Sequence, residues 1–243
     1  MQQLFNWILT FMLSFSPPGA ILEKEQGESP DQTVERYNKI TEDLIEVVFS
    51  KENKPLFSEP DGRSHTAAVM LGIMAHESRF LHHIDMGLVN GRGDSGHSWC
   101  MMQIMTGPFG ATSTWNFIDD HPPYWGDPQE NLRKGVTGKQ LVENRQLCFS
   151  EGLRYTRWSF SRCGNRGPLE KLRVYASGDC NKGGSASRTR LGTAETFWTS
   201  TKDQRTWSDE EIVKLVEDSK NDKAWKLSVF NALGKTKFEL TSL

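Results

Sequence analysis

The sequence predicts a mainly α-helical (α+β) domain carrying one small β element. Three observations lead there. Residues Ala67 to Phe80 form an apolar run without strand-like alternation and too long for a strand, so it reads as a buried helix. Strand signals elsewhere are few. Gly91, Gly93 and Gly96 fall within six residues and precede an apolar stretch through Ile104, the pattern of a tight loop feeding a short β element. With 243 residues and 36% apolar content, the chain can bury one substantial core with a small appendage.

In chain order, Leu4 to Ser16 is a mostly apolar run of 13 residues followed by Pro17-Pro18-Gly19-Ala20. Its length matches the apolar part of an export signal and is short for a membrane span, so residues 1–22 read as an export signal, a tether or a core helix. Residues 23–35 are polar and contain Pro and Gly, as a linker does, and Thr33 to Phe49 is an amphipathic helix. Ser64 is the expected N-cap of the apolar helix, which ends at Glu77. Residues 106–126, with Gly107-Pro108, Pro122-Pro123, Trp115, Tyr124 and Trp125, form a long loop. Leu141 to Trp158 reads as a helix, and Leu169 to Ala176 as a shorter one returning alongside it. A capping box at Ser208-Asp209-Glu210-Glu211 opens a helix to about Asp218, and Trp225 to Phe230 adds a last apolar patch. The expected division is a hydrophobic segment at 1–22, a main domain at 33–205, and a helical extension at 206–243 packed on it.

Glu77 stands out chemically. Burial disfavours its charged form, and so does the negative end of the helix dipole. Both raise its pKa, as a general acid near neutral pH requires; the plain alternative is a helix-terminal carboxylate paired with Arg79 or a histidine. Asp94 lies in the glycine loop that follows. A Glu at a helix end and an Asp on a later flexible loop is the layout of a glycosidase with two carboxyl groups.

These residues resemble the lytic transglycosylase and goose-type lysozyme superfamily. Glu77-Ser78, the glycine loop and Met102-Gln103-Ile104 match its Glu-Ser and Gly-Leu-Met-Gln motifs, with Cys100-Met101 where Gly-Leu is usual. Asp127 to Gly135 resembles its Asn-Ile-x-x-Gly stretch, and Tyr175-Ala176-Ser177-Gly178 its Tyr-Asn-x-Gly motif, with Ala in place of Asn. The resemblance spans about 64–200 and implies a lysozyme-like fold with the β element at the active-site loop. It implies that Glu77 protonates the glycosidic oxygen of peptidoglycan. Ser78, Met102 and Gln103 would shape the site, with Ser78 and Gln103 bonding to the sugar. Tyr175 would approach Glu77 from a facing helix and fix its rotamer.

Asp94 separates two chemistries. Lytic transglycosylases use one Glu and release 1,6-anhydro ends. Goose-type lysozymes invert, using an Asp in a Gly-x-Gly-Asp loop to hold a water, and Gly91-Arg92-Gly93-Asp94 resembles that loop. Met105 stands where their pattern has a second Asp. An inverting pair needs its carboxyl groups about 6.5–9.5 Å apart. Hydrolysis is the favoured expectation; transglycosylation, a chitin-directed enzyme and a non-catalytic glycan-binding wall protein are the rivals.

Trp99 and Trp115 are expected to stack on sugar rings along the cleft. His76, Glu77, His82, His83 and Asp85 are dense in ligand types but lack the His-Glu-x-x-His spacing, so no metal and no cofactor is expected. Residues 131–205 hold 15 Lys/Arg against 6 Asp/Glu, and the remainder 14 against 25. That basic half suits an anionic polymer, and without a nucleic-acid motif the expected partner is peptidoglycan, not nucleic acid. A monomer with no stable membrane span is expected. Cys100, Cys148, Cys163 and Cys180 allow three pairings. The separation of Cys148 and Cys163 along one helix favours Cys148–Cys180 with Cys100–Cys163, the alternative being four reduced thiols. The even cysteine count and the wall substrate together favour export to the periplasm, envelope or exterior.

Overall fold

The apolar N-terminal run folds inward. Helix α1 (Gln2–Phe15) buries Leu4, Phe5, Trp7, Ile8, Leu9, Phe11 and Met12 in the same core as the rest of the chain. The Trp7 ring lies 4.6 Å from that of Phe197, and its indole N–H donates to Thr201 Oγ1 at 2.8 Å. Over Gln2–Phe15 the apolar segment packs as a core helix. The computed structural model describes residues 1–20, 27–106 and 136–221. Among the described residues no helix is long and apolar enough to cross a membrane.

Helix α2 (Pro30–Val48) starts with Pro30 in its first turn and a capping box, in which Ser29 and Gln32 each accept the other's backbone N–H. Part of the expected linker is therefore helix. Helix α3 (Gly62–Glu77) is buried on all sides from Thr66 to Ala75. Its N-terminus is not capped by Ser64. Asp209, at the start of α9 (Asp209–Asn221), accepts the backbone N–H groups of Arg63 and Ser64 at 2.8 and 3.0 Å. A carboxylate there also meets the positive end of the helix dipole. Ile212 and Val216 of α9 complete the core, so the C-terminal extension joins it at least through α9. The patch at 225–230 lies outside the described residues.

After α3 come the short α4 (His82–Asp85), two 3-10 turns (Val89–Gly91 and Asp94–Gly96) and a two-stranded antiparallel sheet. Strand β1 (Ser98–Trp99) pairs with β2 (Ile104–Met105), Ser98 facing Met105 and Trp99 facing Ile104. The fold is thus mainly α with a small sheet at the Met-Gln loop.

The helix expected over Leu141 to Trp158 is two, α5 (Gly138–Glu143) and α6 (Arg145–Arg162). Asn144 ends the first and caps the second, its side chain accepting Leu147 N–H at 3.0 Å. Gly138 begins α5 against the Trp99 ring, where any Cβ would lie 2.0 Å from ring carbon. A 3-10 turn (Pro168–Glu170), α7 (Arg173–Ser177), α8 (Gly184–Ser200) and a further 3-10 turn (Lys202–Gln204) lead to α9.

The disulfides are Cys100–Cys148 and Cys163–Cys180, with Cα atoms 6.4 and 5.5 Å apart, which corrects the expected Cys148–Cys180 and Cys100–Cys163. The returning helix was expected to run back to Cys148. It is only five residues long, so Cys180 stays beside Cys163 at the far end of α6. Cys148, at the near end, meets the hairpin.

Candidate active site

Helix α3 ends at Glu77 because Ser78 closes it. The Ser78 hydroxyl donates to Met74 O at 2.8 Å and accepts Phe80 N–H at 3.2 Å. The next two residues, Arg79 and Phe80, are left-handed at φ 51° and 56°, which turns the chain away. Arg36 of α2 secures the turn: its guanidinium donates to Phe80 O at 2.9 Å and pairs with buried Glu28. Asp85 of α4 lies beside it and pairs with Arg145 of α6 at 2.8 Å.

Gly72 sets how closely α3 and α8 approach. A Cβ there would lie 2.6 Å from Arg190 O and 2.9 Å from the Ala194 methyl. That crossing brings the Arg190 side chain to the helix end, where Nη2 sits 2.7 Å from Glu77 Oε1. The Glu77 side chain keeps only 16% of its surface exposed. Burial raises its pKa; Arg190 opposes that by charge and hydrogen bond, and Asp94 adds to the rise, leaving a net upward shift. Next to it, His76 Nε2 shares a hydrogen bond of 2.7 Å with Thr193 Oγ1. Burial, then Arg190, lower the imidazole pKa.

Asp94 is carried by the glycine loop and hairpin. Gln103 clasps the loop: its Oε1 accepts Gly93 N–H at 3.0 Å, and its Nε2 donates to Cys100 O at 3.0 Å and Gly91 O at 3.2 Å. Asp94 is exposed, and its carboxylate accepts the Ser98 hydroxyl. Three more left-handed residues lie here, Asp94, Cys100 and Gln103, at φ 49°, 58° and 45°. With Arg79 and Phe80 they are all the non-glycine residues of positive φ among the described residues. Such backbone costs roughly 1–3 kcal/mol per residue and gathers at functional sites.

The structure therefore brings Glu77 and Asp94 to one place, close enough for the Asp94 charge to act on the Glu77 carboxyl. It also corrects several expected contacts. Ser78 is fully buried, its hydroxyl committed to the helix end, so it cannot bond a sugar. Met102 is fully buried as well, under α6. Gln103 restrains the glycine loop, and both its amide hydrogens go to the loop backbone. Tyr175 does not fix the Glu77 rotamer by hydrogen bond: its hydroxyl donates to Met102 O at 2.6 Å, and burial, with the Glu77 charge adding, holds the phenol well above its usual range. Arg190 is the side chain bonded to Glu77 instead. The Trp99 ring already carries the Arg92 guanidinium, 4.0 Å from its centroid, and packs on Gly138, so it is a wall of the hairpin and not an open sugar platform. Trp115 and the 127–135 motif lie outside the described residues.

Arg190 escaped the sequence reading. It is one of several arginines in a basic stretch, and only the helix crossing at Gly72 distinguishes it. No family model, curated protein or solved structure matches this chain.

Chemically, the site offers a carboxyl group whose pKa burial raises, and a water-exposed carboxylate on a restrained loop whose charge acts on it. That combination can donate a proton to a leaving oxygen and orient a water.

Proposed function

We propose that the protein is a lysozyme-like glycosidase that cleaves the β-1,4 bond between N-acetylmuramic acid and N-acetylglucosamine in peptidoglycan. The observation that carries this reading is Glu77: a carboxyl of raised pKa at the end of an apolar helix, within reach of the charge of Asp94 on a loop clamped by Gln103. Glu77 gives its proton to the glycosidic oxygen as the bond breaks, and Asp94 holds the water that attacks the anomeric carbon from the opposite face and takes the proton that water sheds. The product is then a reducing sugar of inverted configuration. Cys100–Cys148 and Cys163–Cys180 suit an oxidising compartment, which supports action outside the cytosol, at the envelope or beyond it.

One observation favours transglycosylation as the second reading. Met105, not a carboxylate, occupies β2 beside the loop and is 37% exposed, so Asp94 has no acidic partner there for a water. Mass spectrometry of soluble fragments from purified peptidoglycan tests both readings. Reducing muramic acid ends support hydrolysis. Fragments lighter by one water support transglycosylation. Release of nothing from any wall type rejects the assignment.

A further inference from the structure

The Arg190–Glu77 pair sits awkwardly with a general acid. A cation 2.7 Å from the carboxyl favours its charged form, which has no proton to give. Yet Arg190 is held there by the close approach of α3 and α8 at Gly72. Its side chain is largely buried, at 13% exposed, and its Nε is buried with no hydrogen-bond partner. Half of a fork suited to two-pronged carboxylate binding is therefore unused. The charged and titratable groups that bear on Glu77 are Arg190 from α8, Asp94 from the loop and Tyr175 from α7, with His76 beside it on α3.

We propose that Arg190 is a substrate-operated latch: it pairs with Glu77 before substrate binds and transfers to a carboxylate of the glycan strand when substrate enters. Freed of its cation, Glu77 takes a proton from solvent and becomes the competent acid. Acid activation is thereby tied to an anionic substrate, and a neutral glycan such as chitin leaves the latch closed. The inference rests on the glycosidase reading. The carboxylate is either that of the lactyl ether or one on the stem peptide.

The test compares Arg190→Met and Arg190→Lys with the unaltered protein on three substrates: intact peptidoglycan, glycan strands stripped of stem peptides, and chitin oligomers. For Arg190→Met on peptidoglycan, KM should rise about 10- to 100-fold, the loss of a charge-assisted hydrogen bond. Its chitin cleavage should rise, or appear. The alkaline limb of kcat/KM should move to higher pH by roughly 1–3 pH units, because the cation that holds Glu77 down is gone. Arg190→Lys keeps the charge and should leave that limb nearly in place while raising KM to an intermediate value. A weaker KM effect of Arg190→Met on stripped strands assigns the stem-peptide carboxylate, and an equal effect assigns the lactyl one; both support the latch. Chitin cleavage that falls or stays unchanged in Arg190→Met, or an unmoved alkaline limb, overturns it. If the unaltered protein cleaves none of the three, the glycosidase reading itself has failed.

Discussion

Glu77 and Asp94 stand on two halves of the site that are held in different ways. The α3/α8 half is a helix-on-helix frame, buried from Thr66 to Ala75 and closed by backbone-to-backbone approach at Gly72. It places its carboxyl group by excluding water. The half formed by residues 91–105 has little regular structure, a 3-10 turn and two strands of two residues each. It places its carboxylate by polar and covalent restraint: the Gln103 clasp, the Tyr175 bond to Met102 O, the Arg92–Trp99 stack and the Cys100–Cys148 bridge. An acid is made by removing water from around a carboxyl. A carboxylate that is to hold water must stay exposed, so its position has to come from bonds to the backbone behind it.

The difference can be broken first at Glu77. Glu77→Gln should lower turnover about 10²- to 10⁴-fold, the contribution of a positioned general acid, while binding of glycan persists. The same variant has a pH signature in stability. A carboxyl whose pKa is raised by folding contributes stability that is present below its unfolded pKa, ~4.3, and lost as pH rises through its folded value. Relative to the unaltered protein, Glu77→Gln should therefore gain stability in denaturant melts as the pH rises from 4 to 7; an advantage that shrinks over that range contradicts the burial account.

The covalent restraint comes next. Replacing Cys100 and Cys148 by Ser, which opens a loop of 48 residues, should cost about 2–5 kcal/mol in equilibrium unfolding. Near the midpoint, hydrogen exchange should rise in residues 91–105 before it rises in α3.

A smaller effect tests the frame. Gly72→Val forces side-chain carbon against Arg190 O and Ala194, and should destabilise by about 1–3 kcal/mol. Because the two helices must separate there, catalysis should suffer more than stability alone explains, visible as a fall in kcat under conditions where the protein is fully folded.

The mildest change is Gln103→Ala. Three hydrogen bonds are lost, but Gly93 N–H keeps Ser98 O at 3.2 Å and the loop remains tied by the disulfide. A cost of roughly 1–2 kcal/mol is expected. If the clasp positions Asp94, the hydrolytic rate should fall while protonation by Glu77 is untouched, leaving the alkaline limb of the pH profile where it was.

Much of the frame could be read from the chain. The run from Ala67 to Phe80 announces a buried helix because its apolar residues are contiguous, and a Glu at its end is informative for the same reason. The glycine loop and the following β turn were legible because glycine spacing expresses a backbone need. The helix start was misread at Ser64, since the group that caps α3 is Asp209, 145 residues away from Ser64. The motif reading gives the Ser78 hydroxyl to the sugar and the Tyr175 hydroxyl to the acid's rotamer. Each instead satisfies a backbone carbonyl, because a buried hydroxyl must find a partner and a carbonyl was the nearest one.

Residue order was enough for the buried helix α3, the carboxyl at its end and the carboxylate on the loop, because backbone preference and hydrophobicity are carried by neighbours in the chain. Which groups meet was decided by how the helices cross and how long each one is. Cys148 takes Cys100 because α7 stops after five residues; Tyr175 takes Met102, 73 residues away, because α7 faces the hairpin; Arg190 takes Glu77 because Gly72 lets α8 close on α3. No local pattern encodes those meetings, for each depends on the packing of surfaces that only the folded chain brings together.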